Sequence, residues 1–260
     1  MGWGHNDYPY PVVQRAAVAA GKRVTSSRSN AERVVRIIDA SAELLLQRGY
    51  RRVTVEEVAS HAGVSKSSVY LHWNTKDDIF YDALDRECAA LVCEAVDRVR
   101  RNPAEILAHR MAANLLRIIL DRPLLRALLM GDQAILGSLR HAKSSALRSR
   151  TAAIDELIHR YLSALQKNQL ICPDIDLRIT RKAVWEMLRG MIFSAGTEPL
   201  GKPRSAELAQ VMTVTVRRAF EPRGVPGIDR ITAAAAEVFE AFDELIPTAE
   251  NLDFERPMVL

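Results

Sequence analysis

Disulfide chemistry has little to work with in this sequence: its 260 residues include three cysteines, Cys88, Cys93 and Cys172. Three thiols cannot build a framework of paired bridges, and such usage fits a reducing compartment. On a helix, Cys88 and Cys93 would stand about 140° apart, so they share no face and read as small buried thiols. Aromatics are also scarce, at 6%, while alanine and leucine abound, which favours helices over sheets. No apolar run reaches the roughly 18–20 residues of a membrane span. The N-terminal "AAVAAG" is too short for a signal-peptide core and follows prolines, so the expected location is the cytoplasm. Also missing are a glycine-rich phosphate loop, HExxH, GxSxG and any zinc-type Cys/His spacing. No catalytic residue, metal or cofactor is expected, which leaves a small all-helical enzyme as a remote alternative.

What is present is apolar residue enough for a large core, at 48%, with 26% charged residues to keep the surface wet. The net charge is only +4, but it is unevenly spread. Between positions 15 and 76 stand eleven basic residues, from Arg15 to Lys76, against Glu32, Asp39, Glu43, Glu56 and Glu57. After Gly227 the balance reverses, with Asp229, Glu237, Glu240, Asp243 and Glu244 among the acids. A basic front and an acidic back point to a polyanionic partner at the front.

Hydrophobic periodicity predicts an all-α chain. Residues 1–28 read as a mostly disordered basic arm. From Ser29, Val34, Ile37, Ile38, Ser41, Ala42 and Leu45 form a helical stripe that ends at Gly49. Helices are further expected over 75–101, 103–121, a short "LLRALLMG" element, 141–168, 177–195, 205–220 and 228–246. The predicted division is 29–75 for a compact front unit, 76–247 for a larger helical unit, and 248–260 for a tail.

The stretch "TVEEVASHAGVSKSSVYLHWNTKDDIF" is the most informative. Thr54 with Glu57 makes a capping box, flanked by Val53 and Val58 as a hydrophobic staple. Gly63 provides a left-handed stop, Ser65 caps a second short helix through Trp73, and Thr75 caps a third. Ala59, Gly63 and Val69 have the helix-turn-helix spacing: a small residue where the helices cross, a turn glycine, and an apolar wedge. The outward face of the second helix would enter a major groove. It offers Lys66, Ser67, Ser68, Tyr70 and His72 and no acid. A structural helical hairpin is the bland alternative.

These residues resemble the N-terminal DNA-binding domain of the TetR family of bacterial transcriptional regulators. The likeness rests on Gly49-Tyr50, Thr54, Val58-Ala59, Ala62-Gly63-Val64-Ser65, Val69-Tyr70, His72 and Lys76-Asp77. It departs at Trp73, where the family usually has phenylalanine. The rest of the chain matches in helix count and order. The resemblance implies a regulator that binds double-stranded operator DNA. Ser65, Lys66, Ser67 and Ser68 would reach base edges or flanking phosphates, and Thr54, Tyr70, His72 and Lys76 would hold phosphates. His72 as a packing histidine is the competing reading. Arg28 of the arm is a candidate for the minor groove.

The resemblance also implies a homodimer and a small-molecule effector. For dimerisation, the helix from Leu177 is apolar nearly all round beyond Ala183, and its successor carries a second stripe. The expected interface comprises Val184, Leu188, Met191, Leu208, Val211, Met212 and Thr215. For sensing, Met111, Leu115, Ile119, Leu128 and Met130 are the candidate pocket residues from the first half, and Tyr161, Trp185, Arg189 and Phe193 those from the second. Arg189, His109 or Tyr161 would be the polar anchor for a lipophilic effector. A repressor that leaves its operator on binding such a molecule is the expected function. An activator or a helical dimeric interaction protein is the alternative.

Overall fold

A computed structural model describes residues 23–141, 145–196 and 202–245, and every regular element among them is helical. The first helix, α1 (Arg23–Arg48), buries Val34, Ile37, Ile38, Leu44 and Leu45. It begins six residues before the expected start, so the part of the presumed arm from Arg23 onward is helical; residues 1–22 and the tail lie outside the described residues. Ser41 is buried on the same stripe and donates its hydroxyl to the Ile38 carbonyl at 2.8 Å, which satisfies it inside the helix.

Gly49 closes α1 at φ 75°. A Cβ there would lie 2.2 Å from the Ala134 carbonyl oxygen, so glycine is required by contact as well as by dihedral. A 3₁₀ turn, Tyr50–Arg52, then leads into α2 (Val55–His61), α3 (Lys66–Tyr70) and α4 (Lys76–Arg101). α3 is shorter than predicted, ending before Trp73.

α4 is the axis of the molecule. Asp77 and Asp78 sit in its first turn and Arg98, Arg100 and Arg101 in its last, each sign opposing the helix dipole. Its apolar face, including Ile79, Phe80, Ala83 and Leu84, packs on α1 at one end. The rest lies against α5 (Ala108–Leu120), α6 (Pro123–Met130) and α8 (Ser145–Lys167). The single helix expected over 103–121 is two elements: a 3₁₀ turn, Pro103–Ile106, capped by Asn102, precedes α5. α6 stops at Gly131 in the left-handed region, as expected. α7 (Gln133–Leu136), with the 3₁₀ turn Gly137–His141 behind it, has too short a pattern for periodicity to reveal.

α9 (Leu177–Ala195), α10 (Lys202–Phe220) and α11 (Ile228–Leu245) complete the helical part. α10 lies along α5, and α11 along α8. Charged clamps fix the long helices. Arg150 reaches Asp85 with two hydrogen bonds at 3.0 and 3.3 Å, and Arg122 meets Glu87 and Glu94. Arg100 and Arg160 hold Asp243 and Glu244 of α11. The two largest helical regions thus share one continuous core, from Val34 to Val238.

Candidate nucleic-acid interface

Capping chemistry sets the geometry of the front unit. Thr54 accepts the Glu57 amide at 3.2 Å, and Glu57 accepts the Thr54 amide at 2.8 Å, the reciprocal pair expected of a capping box. Thr75 and Asp78 repeat it at 3.0 and 3.2 Å. Ser65 caps α3 by accepting the Ser68 amide. Between α2 and α3 the Val64 amide reaches back to the Ala59 carbonyl at 2.9 Å, with Gly63 at φ 66°. A Cβ on Gly63 would meet nothing within 4 Å, so the glycine serves the dihedral alone. Ala59 is nearly buried where the helices meet, and Val69 is the fully buried wedge. The bend is present, and α3 is not merged with α2.

α3 therefore presents a polar face to solvent. Lys66 and Ser67 are exposed, Ser68 is half-buried, and Tyr70 is exposed with its ring 5.6 Å from the Lys66 ammonium. Ser65 Oγ lies 2.9 Å from both the Ser67 and Ser68 hydroxyls, a short serine chain at the helix start. This face is not free of acid influence, as α3 alone suggested: Glu56 of α2 pairs with Lys66. The contact raises the ammonium pKa and lowers that of the carboxyl, chiefly through the hydrogen bond between them. Contact with phosphate or a base requires Lys66 to leave Glu56.

The bend into α4 is fixed by three side chains, Lys76, Tyr50 and Trp73. Lys76 donates to the Tyr50 and Val53 carbonyls at 2.9 and 3.0 Å, over the Tyr50 ring at 4.0 Å. Tyr50 donates its hydroxyl to Asp77, and burial first, then that carboxylate, pushes the phenol pKa up. Trp73 is buried, and its indole N–H donates to Asp82 at 2.7 Å. A phenylalanine has no such donor.

The family pattern described as "Bacterial regulatory proteins, tetR family" matches residues 37–83, which are the end of α1 through the start of α4. The chain is 25% identical over 161 residues to the fatty acid metabolism regulator protein of Bacillus subtilis, spanning 58% of this chain and 77% of that one. It is 32% identical over 74 residues to the transcriptional activator FasR of Mycolicibacterium smegmatis, across 28% and 34% of the two chains. The fold matches the crystal structure of a TetR family transcription regulator from Marinobacter aquaeolei with a TM-score of 0.55 at 14% identity, over 76% of this chain and all of that one.

Residues 37–83 are a TetR-family DNA-binding domain. The chain has the build of a DNA-binding transcriptional regulator, an N-terminal helix-turn-helix followed by a helical domain. Of the residues expected to contact DNA, Thr54, Ser65, Lys66, Ser67, Ser68 and Tyr70 lie at helix starts or on the outward face of α3. His72 is half-buried and bonds to Asn30 at 3.1 Å. Its burial, then the nearby Arg33, lower its pKa, so the neutral ring is favoured. The packing reading fits His72 better than a phosphate contact. Lys76 is likewise committed to the turn. Arg28 lies within α1, and its side chain falls outside the described residues.

Two features escaped sequence reasoning. Leu71, 75% exposed, ends α3 as an apolar tip. Arg51 and Arg52, with Arg48, Gln133 and Ala134, line an open recess of about 430 Å³. The "RR" before Thr54 was the only available signal for it.

The expected back sites need correction. Leu188 and Met212, expected at the dimer face, are buried in the chain's own core. Arg189 and Phe193, expected to line a pocket, face outward, and Trp185 lies at the flank, 37% exposed. Helical rotation is the reason: Ile192 points inward, so its successor is turned about 100° away. Tyr161 donates to the Ile106 carbonyl at 2.9 Å, and burial, then the Glu221 charge, drives its pKa well up. His109 is bound to Glu221 at 2.8 Å. Neither is a free polar anchor. Ile119 is packed solid, whereas Met111, Leu115, Leu128 and Met130 are half-buried along α5 and α6.

Proposed function

We propose that this regulator works as a homodimer whose two α3 helices read an operator, and that a small lipophilic molecule loosens its hold. The observation that carries the dimer is the run of exposed apolar side chains on α9 and α10: Ile179 at 62%, Phe193 at 75%, Val211 at 53% and Val214 at 38%. Side chains of this size gathered on two neighbouring helices mark a contact surface. Val211 and Thr215 of the expected interface lie on it, with Val184, Met191 and Leu208 half-buried at its edge. A second copy, related by a two-fold axis, supplies the matching patch and a second α3 for the neighbouring half-site.

The effector reading is supported by the half-buried Met111, Leu115, Leu128 and Met130, where α5, α6 and α9 meet. Methionine-lined seams accept varied shapes. The relative in Bacillus subtilis bears a fatty-acid name, in keeping with a lipophilic effector. A ligand that opens this seam moves α4 through α6, and α3 follows through Trp73 and Lys76. The coupling equals the ligand's preference for the open arrangement.

The test is a footprint on the protein's own promoter, followed by titration with fatty acyl and sterol compounds. Wild type should protect two half-sites about one helical turn apart, with affinity falling steeply as salt rises. Lys66→Ala should weaken operator binding at least tenfold while the protein stays folded. Equal affinity for operator and random duplex would remove the regulator reading, and indifference to every lipophilic compound would remove the effector.

A further inference from the structure

A second site lies at the opposite end of the molecule, where α5 begins and α10 ends. Leu107, Leu170, Pro222 and Val225 are the apolar part of the lining of a groove of about 200 Å³ there. Four arginines line it, Arg110, Arg217, Arg223 and Arg230. Arg110 is engaged with Glu105. Among the described residues, Arg217, Arg223 and Arg230 have no carboxylate partner, whereas Arg100, Arg150 and Arg160 each hold one. The one lining carboxylate, Glu221, is spent. It accepts the His109 backbone amide at 2.9 Å and the His109 ring at 2.8 Å, so it already caps the start of α5.

We propose that this groove binds a small oxyanion of the phosphate or short dicarboxylate type. Three cations around one groove without an ion-pair partner leave positive charge there that a bound dianion would offset. Guanidinium forks match carboxylate and phosphate oxygens in pairs, which a chloride ion cannot satisfy. Size narrows the class. The volume is about 200 Å³. It lies below the roughly 300–1,000 Å³ of pockets for drug-sized ligands, so the site suits a headgroup-sized anion and not a fatty chain. The loop over it carries Pro222, Gly224 at φ 112° and Pro226, and holds Arg223 between the end of α10 and the start of α11.

This inference is independent of the effector reading, because the groove and the methionine seam share no residue. The experiment is calorimetric titration of the full chain with inorganic phosphate and, separately, with succinate, each against sodium chloride of equal ionic strength. Saturable binding of either anion is expected, with chloride inert. Arg223→Ala/Arg230→Ala should weaken it at least tenfold while operator binding and helix content stay at wild-type levels. Lys66→Ala should keep it, which separates the groove from phosphate attraction to the DNA face. If the double variant misfolds, Arg223→Ala and Arg230→Ala singly should each weaken binding several-fold. No saturable heat in wild type, an equal response to chloride, or undiminished binding by the arginine variants would overturn the proposal.

Discussion

At the scale of single residues, the front of the molecule is governed by hydrogen bonds that a substitution can remove one at a time. Glu56 is the clearest case, because it occupies the ammonium that the recognition surface needs. Glu56→Gln should raise operator affinity several-fold and steepen its salt dependence, measured by gel retardation at three salt concentrations. An unchanged affinity would mean that Lys66 does not contact DNA. Trp73 is a second case. Trp73→Phe keeps most of the apolar volume but removes the donor to Asp82, and should cost about 1–3 kcal/mol in urea unfolding. These residues were partly legible. Thr54, Ser65 and Thr75 announced themselves because a cap is a local event, decided within four residues. The partners of Lys66, Lys76 and His72 were not legible, since each lies on another element and is brought near only by the turn.

At the scale of elements, the joint between the two halves depends on the absence of side chains. Gly49 touches the Ala134 carbonyl, and a Cβ on Gly137 would lie 2.8 Å from the Tyr50 ring. Gly49→Ala should therefore destabilise by about 1–3 kcal/mol from the dihedral alone, with the backbone clash added, seen as a lower thermal midpoint. Gly137→Ala meets a side chain and should cost less. The sequence marked Gly49 as a helix stop, which periodicity reveals. It gave no hint of the close approach to α7, because two backbones separated by more than eighty residues leave no local pattern. The long helices α4, α9 and α11 were found with nearly their observed limits, as sustained stripes and breaking residues allow. The 3₁₀ turn at Pro103–Ile106 was absorbed into a helix because its apolar residues continue the same period.

At the scale of the whole molecule, the question is which helical face meets a second copy. A stripe shows that a helix has an apolar side, not what covers it. Leu188 and Phe193 both belong to the apolar part of α9, yet one is buried in the chain and the other stands open. Only packing against α5 and α10 separates them. Phe193→Glu should leave the monomer folded and halve the mass measured by light scattering. Operator affinity should fall far more than Lys66→Ala lowers it per half-site, because both half-sites are then engaged separately. A variant that stays dimeric would move the interface off this face.

The chain has three tryptophans, and the two in the described part lie at different places: one sealed at the bend between the reading helix and the central axis, the other at the flank of the outward apolar surface. The protein thus carries its own optical labels. Quenching by an aqueous solute should reach Trp185 and spare Trp73, so self-association dims access to the first, whereas a shift of the reading head alters the emission of the second.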